Sequence, residues 1–452
     1  MEGAPREAPV RLDARQLASA TPATRNRYVD LIRVASIGVV VLGHWLMAVL
    51  GYQDGKFTGE NLLEIDPGLQ ILTWIFQVMP LFFIVGGFTN AISWNSAQAR
   101  GTSYADWLRT RSARLLRPAL WFVGFWAILP VIAVATGLLP SSVARIGGQE
   151  VALPLWFLAV YVVAVSAIPS LLAVHRRFRA WVLATLVIGA LLVDSLRFGL
   201  DVPFIGIVNY AFVWLAVIEL GFFWSEGVLR RRRWLPWVMA GSGLIALGVL
   251  VGWFDYPVSM VGLTHGIRSN TLPPSGALLA LAVWQCGAML LLEDAANRWL
   301  ARARPWLGVV IANSMVMTFY LWNMSAVVLA AVILFPTGIA PQPEPLSASW
   351  WWLRPAWILA CAICLVPFLL VFRWAERPSA AAALARPGLA GLVRTLSGIA
   401  GAGAGLTILA WEAFPVPDEA VALPSAGAAL VVAGAALLRV DPFASLRTRP
   451  AP

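Results

Sequence analysis

The sequence predicts an all-α polytopic integral membrane protein with about twelve transmembrane helices and both termini on the cytoplasmic side. Three observations carry that expectation. Of the 452 residues, 60% are hydrophobic and only 12% charged, with a mean hydropathy of +0.76. Too little polar surface remains to clothe a water-soluble body of this size. Apolar runs recur along the chain at lengths near the ~20 residues a helix needs to cross hydrocarbon. Finally, the arginines collect between alternate runs, which is how cytoplasmic loops are charged.

In chain order, residues 1–26 are polar and rich in Ala, Pro and Arg, without the apolar centre of a signal peptide, and read as a disordered cytoplasmic tail. Spanning runs follow near 31–50, 69–92, 115–139, 154–174, 181–199, 204–224, 235–253, 275–292, 306–335 and 350–373, with weaker Ala/Gly-rich runs near 389–411 and 421–438. With the N-terminus inside, all of the 33 basic residues except Lys56, Arg145, Arg197, Arg268 and Arg354 fall on the cytoplasmic side. Trp350 to Trp352 mark the outer entry of the tenth run and Trp374 its inner exit. The outer connections 51–68, 140–153, 254–274 and 336–349 read as short loops, leaving no room for an appended soluble domain. The expected organisation is a tail (1–26), a transmembrane domain (27–376) and two additional C-terminal helices with a cytoplasmic tail (377–452). The net charge of +10 is scattered among short clusters, so no nucleic-acid partner is expected. Cys286, Cys361 and Cys364 all lie inside apolar runs and read as small packing residues, with neither a disulfide framework nor a metal site.

The first run holds the most unusual combination. It opens on Asp30 and Arg33 and is then apolar except for His44. Eleven residues make about three helical turns, so Arg33 and His44 share one face, ~16 Å apart along the axis. An ionisable group inside a membrane is expensive and marks function by default. Between the second and third runs, Arg111, Arg114 and Arg117 recur at i, i+3, i+6 and place three guanidiniums on one helical face at the cytoplasmic boundary. Such a comb serves lipid headgroups, topology, or a polyanionic ligand. Arg33 at the same boundary, with His44 above it, favours a phosphate-bearing donor whose long arm extends toward the imidazole.

These residues carry a resemblance. Asp30-x-x-Arg33 followed by His44 resembles the first helix of the membrane-bound acyltransferase-3 family. Arg111-x-x-Arg114-Leu-Leu-x-Pro118 is similar to that family's arginine pair after the second helix. Met79 to Phe88 (MPLFFIVGGF) resembles its second-helix signature, and Leu155 to Leu158 with Tyr161 its fourth. The match spans about residues 27–376, a ten-helix core, and the two last helices lie beyond it. One departure stands out: Tyr320-Leu321-Trp322 is followed by Asn323, where family members often carry a histidine. The resemblance implies an O-acyltransferase of the plasma membrane. It would move an acyl group, usually acetyl, from cytoplasmic acyl-CoA to a hydroxyl of a sugar, glycolipid or natural product. Arg33, Arg111, Arg114 and Arg117 would hold the CoA phosphates, His44 would act as general base or acyl carrier, and Asp30 would orient Arg33. The chemistry suits the residue types, because imidazole titrates near neutral pH and guanidinium grips phosphate in bidentate fashion.

Other polar residues in the runs have expectations of their own. Asp194 and Arg197 read as a local neutralising pair, and Glu219 as an interhelical hydrogen-bonding group or an orienter of His44. Asn313, Ser314, Tyr320 and Asn323 are candidate acceptor contacts. His175 and His265 read as surface loop residues, and Gly401 with Gly405 as a close-packing face. The same His44 and arginines also fit a proton-coupled transporter or lipid flippase, with His44 as proton relay.

Overall fold

The computed structural model describes residues 25–263, 268–377, 388–416 and 422–444. The expected N-terminal tail (except Arg25 and Asn26), most of the C-terminal tail and His265 lie outside the described residues.

Each of the twelve apolar runs is mostly helical. Helix α1 is Arg27–Met47, capped by the Asn26 side chain, and is followed by α2 (Met79–Ala99) and α3 (Tyr104–Ala135). Next come α4 (Ser141–Ala152), α5 (Leu155–Phe178), α6 (Ala180–Asp194), α7 (Asn209–Ser225), α8 (Leu235–Trp253) and α9 (Gly276–Leu300). The chain continues through α10 (Ala303–Asn313), α11 (Val316–Leu334), α12 (Ala348–Phe372), α13 (Leu389–Glu412) and α14 (Ala422–Leu437). Among the described residues, 11 helices are long and apolar enough to cross a membrane, and α14 is a shorter apolar one. Exposed Ile, Leu, Val and Trp side chains are common along them, as expected where lipid replaces water as solvent.

Helix α1 is central, packing against α2, α9, α10, α11 and α12. Its neighbour α2 crosses α7 at backbone contact. A Cβ on Gly87 would lie 2.2 Å from the Ile218 carbonyl oxygen, and one on Gly221 the same distance from that of Ile84, so only glycine permits the approach. The face expected at Gly401 and Gly405 is found in the α13–α14 pair, where a Cβ on Gly405 would meet the Gly427 oxygen at 2.5 Å.

Three departures from the sequence expectation shape the site. First, α1 stops at Met47, three residues before its apolar run ends, and the chain enters a hairpin, β1 (Ala48–Gln53) with β2 (Lys56–Asn61). The turn is Asp54-Gly55, both at positive φ, with Gln53 paired to Lys56; an Asp-Gly two-residue turn favours this geometry. Second, α4 occupies the expected outer loop 140–153. Third, the ninth run is two helices broken at Ser314–Met315. There the Ser314 hydroxyl turns back to the Ile311 carbonyl, and the Glu376 carboxylate accepts from the backbone N–H of Met317 (3.1 Å) and Thr318 (2.6 Å). The carboxylate thus caps a second helix start that a continuous helix would not have.

Candidate active site

Along α1 the exposed residues Ala35, Gly38 and Leu42 form one stripe. At ~100° per residue, Arg33 and His44 project from the opposite side, within ~20° of each other. They therefore face the protein interior, and the buried residues Ile37 and Val40 lie between them. His44 sits in the last turn of α1. It is half-buried; its Nδ1 is sealed from solvent and has no hydrogen-bond partner. Across from it is the side chain of Asn323 on α11, close enough to interact with the ring. The next residue fixes this pairing: Trp45 Nε1 donates to the Asn323 carbonyl (3.0 Å), and Trp357 Nε1 from α12 donates to the Trp45 carbonyl (3.2 Å).

These contacts also set the depth. Eleven residues of α11 remain beyond Asn323, and Trp357 lies nine residues into α12 from its Ala348 end, so the imidazole is ~14–16 Å below those helix ends. His44 thus lies well below the ends of α11 and α12, although its own helix ends three residues later.

At the other end of the shared face, guanidiniums converge. Arg111 on α3 lies within electrostatic reach of Arg114, of Arg33 and of the Tyr161 hydroxyl on α5. Neither Arg111 nor Arg114 has a hydrogen bond or ion pair among the described residues. Glycine makes room for Tyr161: a Cβ on Gly86 would stand 2.8 Å from its hydroxyl, and Asn90 Nδ2 approaches that oxygen at 3.4 Å. Four separate sequence motifs therefore meet at one place. Arg111 and Arg114, which have no counter-ion among the described residues, and Arg33, whose contact with Asp30 is long at 3.9 Å, concentrate positive charge of the kind that suits a multiply charged anion.

The remaining candidates divide. Arg117 is buried, and its guanidinium donates to the backbone carbonyls of Asp441 (3.2 Å) and Arg377 (3.1 Å), not toward the Arg33 cluster. Arg109 similarly reaches the Leu438 carbonyl and Asp106. The comb is therefore split: i, i+3 faces the cluster, while the flanking arginines bind the C-terminal segment to α3. Asp30 is gripped by Arg25 Nε (2.7 Å) and approached by Asn313 Nδ2 (3.4 Å), with Arg33 farther at 3.9 Å. It stands fourteen residues, ~21 Å, from His44, so its part is to position the start of α1 and not to touch the imidazole.

The other polar residues take these places, and the surface-loop reading of His175 is corrected. His175 is fully buried inside α5, with Nδ1 at 2.5 Å from Glu219 and Nε2 at 3.5 Å from Glu226. Glu219 is therefore the interhelical hydrogen-bonding group that one of its two readings expects, with His175 and not His44 as its partner. Tyr320 donates to the Pro154 carbonyl (2.6 Å) and Ser314 closes its own helix, which leaves Asn323 as the member of its group beside the imidazole. Asp194 and Arg197 lie within electrostatic reach of each other, as a neutralising pair would, while Asp194 takes its hydrogen bonds from Asn209, Tyr256 and the Gly276 N–H and Arg197 donates to Pro273. Sequence reading missed Asn90 and the role of Tyr161; the Gly-Gly doublet one turn before Asn90 was the available signal.

The sequence profile of the acyltransferase domain of the acyltransferase-3 family matches residues 26–374. The chain belongs to the acyltransferase-3 family. No curated relative and no solved structure matches it. The acyltransferase-3 domain contains every residue of the site just described, and α13 and α14 follow it. Membership makes the chain a transferase of acyl groups, built from membrane-type helices.

Proposed function

We propose that the protein is an integral O-acyltransferase of the plasma membrane that takes an acyl group, acetyl by preference, from acyl-CoA and delivers it to a hydroxyl of a sugar, glycolipid or related natural product. The arginine-rich end faces the cytoplasm, in keeping with the charge bias of the connections. Arg33, Arg111 and Arg114 take the CoA phosphates, and the thioester arm runs along the Arg33–His44 face. His44 removes the proton of the acceptor hydroxyl as its oxygen attacks the thioester carbonyl. The C–S bond then breaks, and the CoA thiolate recovers the proton from the imidazolium. Asn323 holds the ring at the height where donor arm and acceptor meet. The observation that supports this reading is the pairing of an imidazole that has no carboxylate partner among the described residues with a guanidinium cluster in which Arg111 and Arg114 have no counter-ion among those residues and Arg33 has only Asp30, at 3.9 Å.

The purified protein, reconstituted in lipid nanodiscs and supplied with acetyl-labelled CoA and a cell-envelope extract, is expected to move label into the extract and to release CoA in equal amount. Proton-driven uptake of a solute without label transfer would replace the acyltransferase with a transporter.

A further inference from the structure

The region beyond His44 contains a large cavity of about 840 Å³, enclosed by the hairpin, the 334–345 segment and α12. Ala48, four residues after His44, is among its lining residues. Leu334, Phe335, Ile339 and Trp357 supply an apolar wall. Within it stands Arg354, only 8% exposed, with its guanidinium 3.4 Å over the Trp350 ring and one N–H directed at the Ala48 carbonyl (3.3 Å). Among the described residues no carboxylate lies within ion-pair distance of it. The cavity's own carboxylates, Glu60 and Glu344, are exposed at the rim, where water screens them.

A buried cation without a counter-ion is costly, and stacking on an aromatic face with one carbonyl contact offsets only part of that cost. In lipid-embedded proteins such groups face cavities through which ligands pass. We infer that this cavity binds a hydroxyl-bearing amphiphile with one acidic group, carboxylate or phosphate, which pairs with Arg354. The apolar wall takes its aliphatic part, and the rim carboxylates accept from its hydroxyls. Under the acyl-transfer reading, on which its catalytic meaning rests, the occupant is the acceptor, entering from the side opposite the CoA donor. The acid anchors it so that a hydroxyl reaches down to His44.

Two matched probes isolate the charge: octyl glucuronide and octyl glucoside differ at one carboxylate. Binding to the full-length protein in phosphatidylcholine nanodiscs is measured without any donor. The wild type is expected to prefer the glucuronide by about tenfold or more. Arg354→Gln should abolish that preference and Arg354→Lys restore part of it. Ala356→Trp, which fills the cavity and leaves Arg354 in place, should weaken both probes. Equal binding of the two probes by the wild type, or a preference that survives Arg354→Gln, overturns the inference. Competition by phosphatidylglycerol assigns the acid to a lipid headgroup, and lack of competition assigns it to a glycan; both support an anionic occupant. Because no donor is present, failure of acyl transfer with the glucuronide preference intact would refute the enzymatic reading alone.

Discussion

Two histidines sit inside this helical bundle, and their surroundings are opposites. His175 is sealed between α5 and α7, with Nδ1 bonded to Glu219 and Nε2, itself without a hydrogen bond, 3.5 Å from the Glu226 carboxylate. His44 has no carboxylate, keeps Nδ1 unbonded, and looks across at an amide. A buried imidazole flanked by two acids is held as part of an interhelical charge cluster. One with an unbonded nitrogen and no acid beside it is, under the acyl-transfer reading, the one available for proton transfer. The arginines of α3 repeat the contrast. Arg109 and Arg117 are tied to carbonyls of the C-terminal segment, while Arg111 and Arg114 have no hydrogen bond or ion pair among the described residues. Residue type and spacing are the same on both sides; what differs is the partner.

The sharpest way to break the comparison is His44→Ala. Transfer from acetyl-CoA should fall by about 10²–10⁴-fold, the usual worth of a positioned general base, with the protein still folded. His175→Ala should do the reverse. It strands Glu219 in the bundle and should lower unfolding stability by about 3 kcal/mol, read by denaturant melts, while transfer per folded molecule changes little. Exchange of these two outcomes would invert the assignment. Arg111→Gln should weaken CoA binding by about tenfold, measured by calorimetry, without loss of stability. Arg117→Gln should show the smallest effect: about 1 kcal/mol of stability from its carbonyl contacts, with CoA affinity held within about twofold.

Much of this was legible in the chain. The period of a helix fixes Arg33 and His44 on one face from spacing alone, and apolar run length locates every spanning helix. Partners across helices were not legible. Nothing local distinguishes Arg114 from Arg117, because Arg117 is claimed by carbonyls of residues 377 and 441, far along the chain. His175 looked like a loop residue since α5 extends past its apolar stretch, and its acid comes from α7. The hairpin was hidden differently: Asp54-Gly55 is a strong turn signal, but it follows a run long enough to be helix throughout.

The central claim is that one end of α1 holds the donor and the other carries out the chemistry. It is tested most directly by measuring CoA affinity and single-turnover acyl transfer in parallel for His44→Ala and Arg111→Gln. The expected result is a crossed pattern. His44→Ala binds CoA like the wild type and fails to transfer, while Arg111→Gln binds weakly and transfers at the wild-type rate once saturated. Equal impairment of both properties in both variants would contradict it.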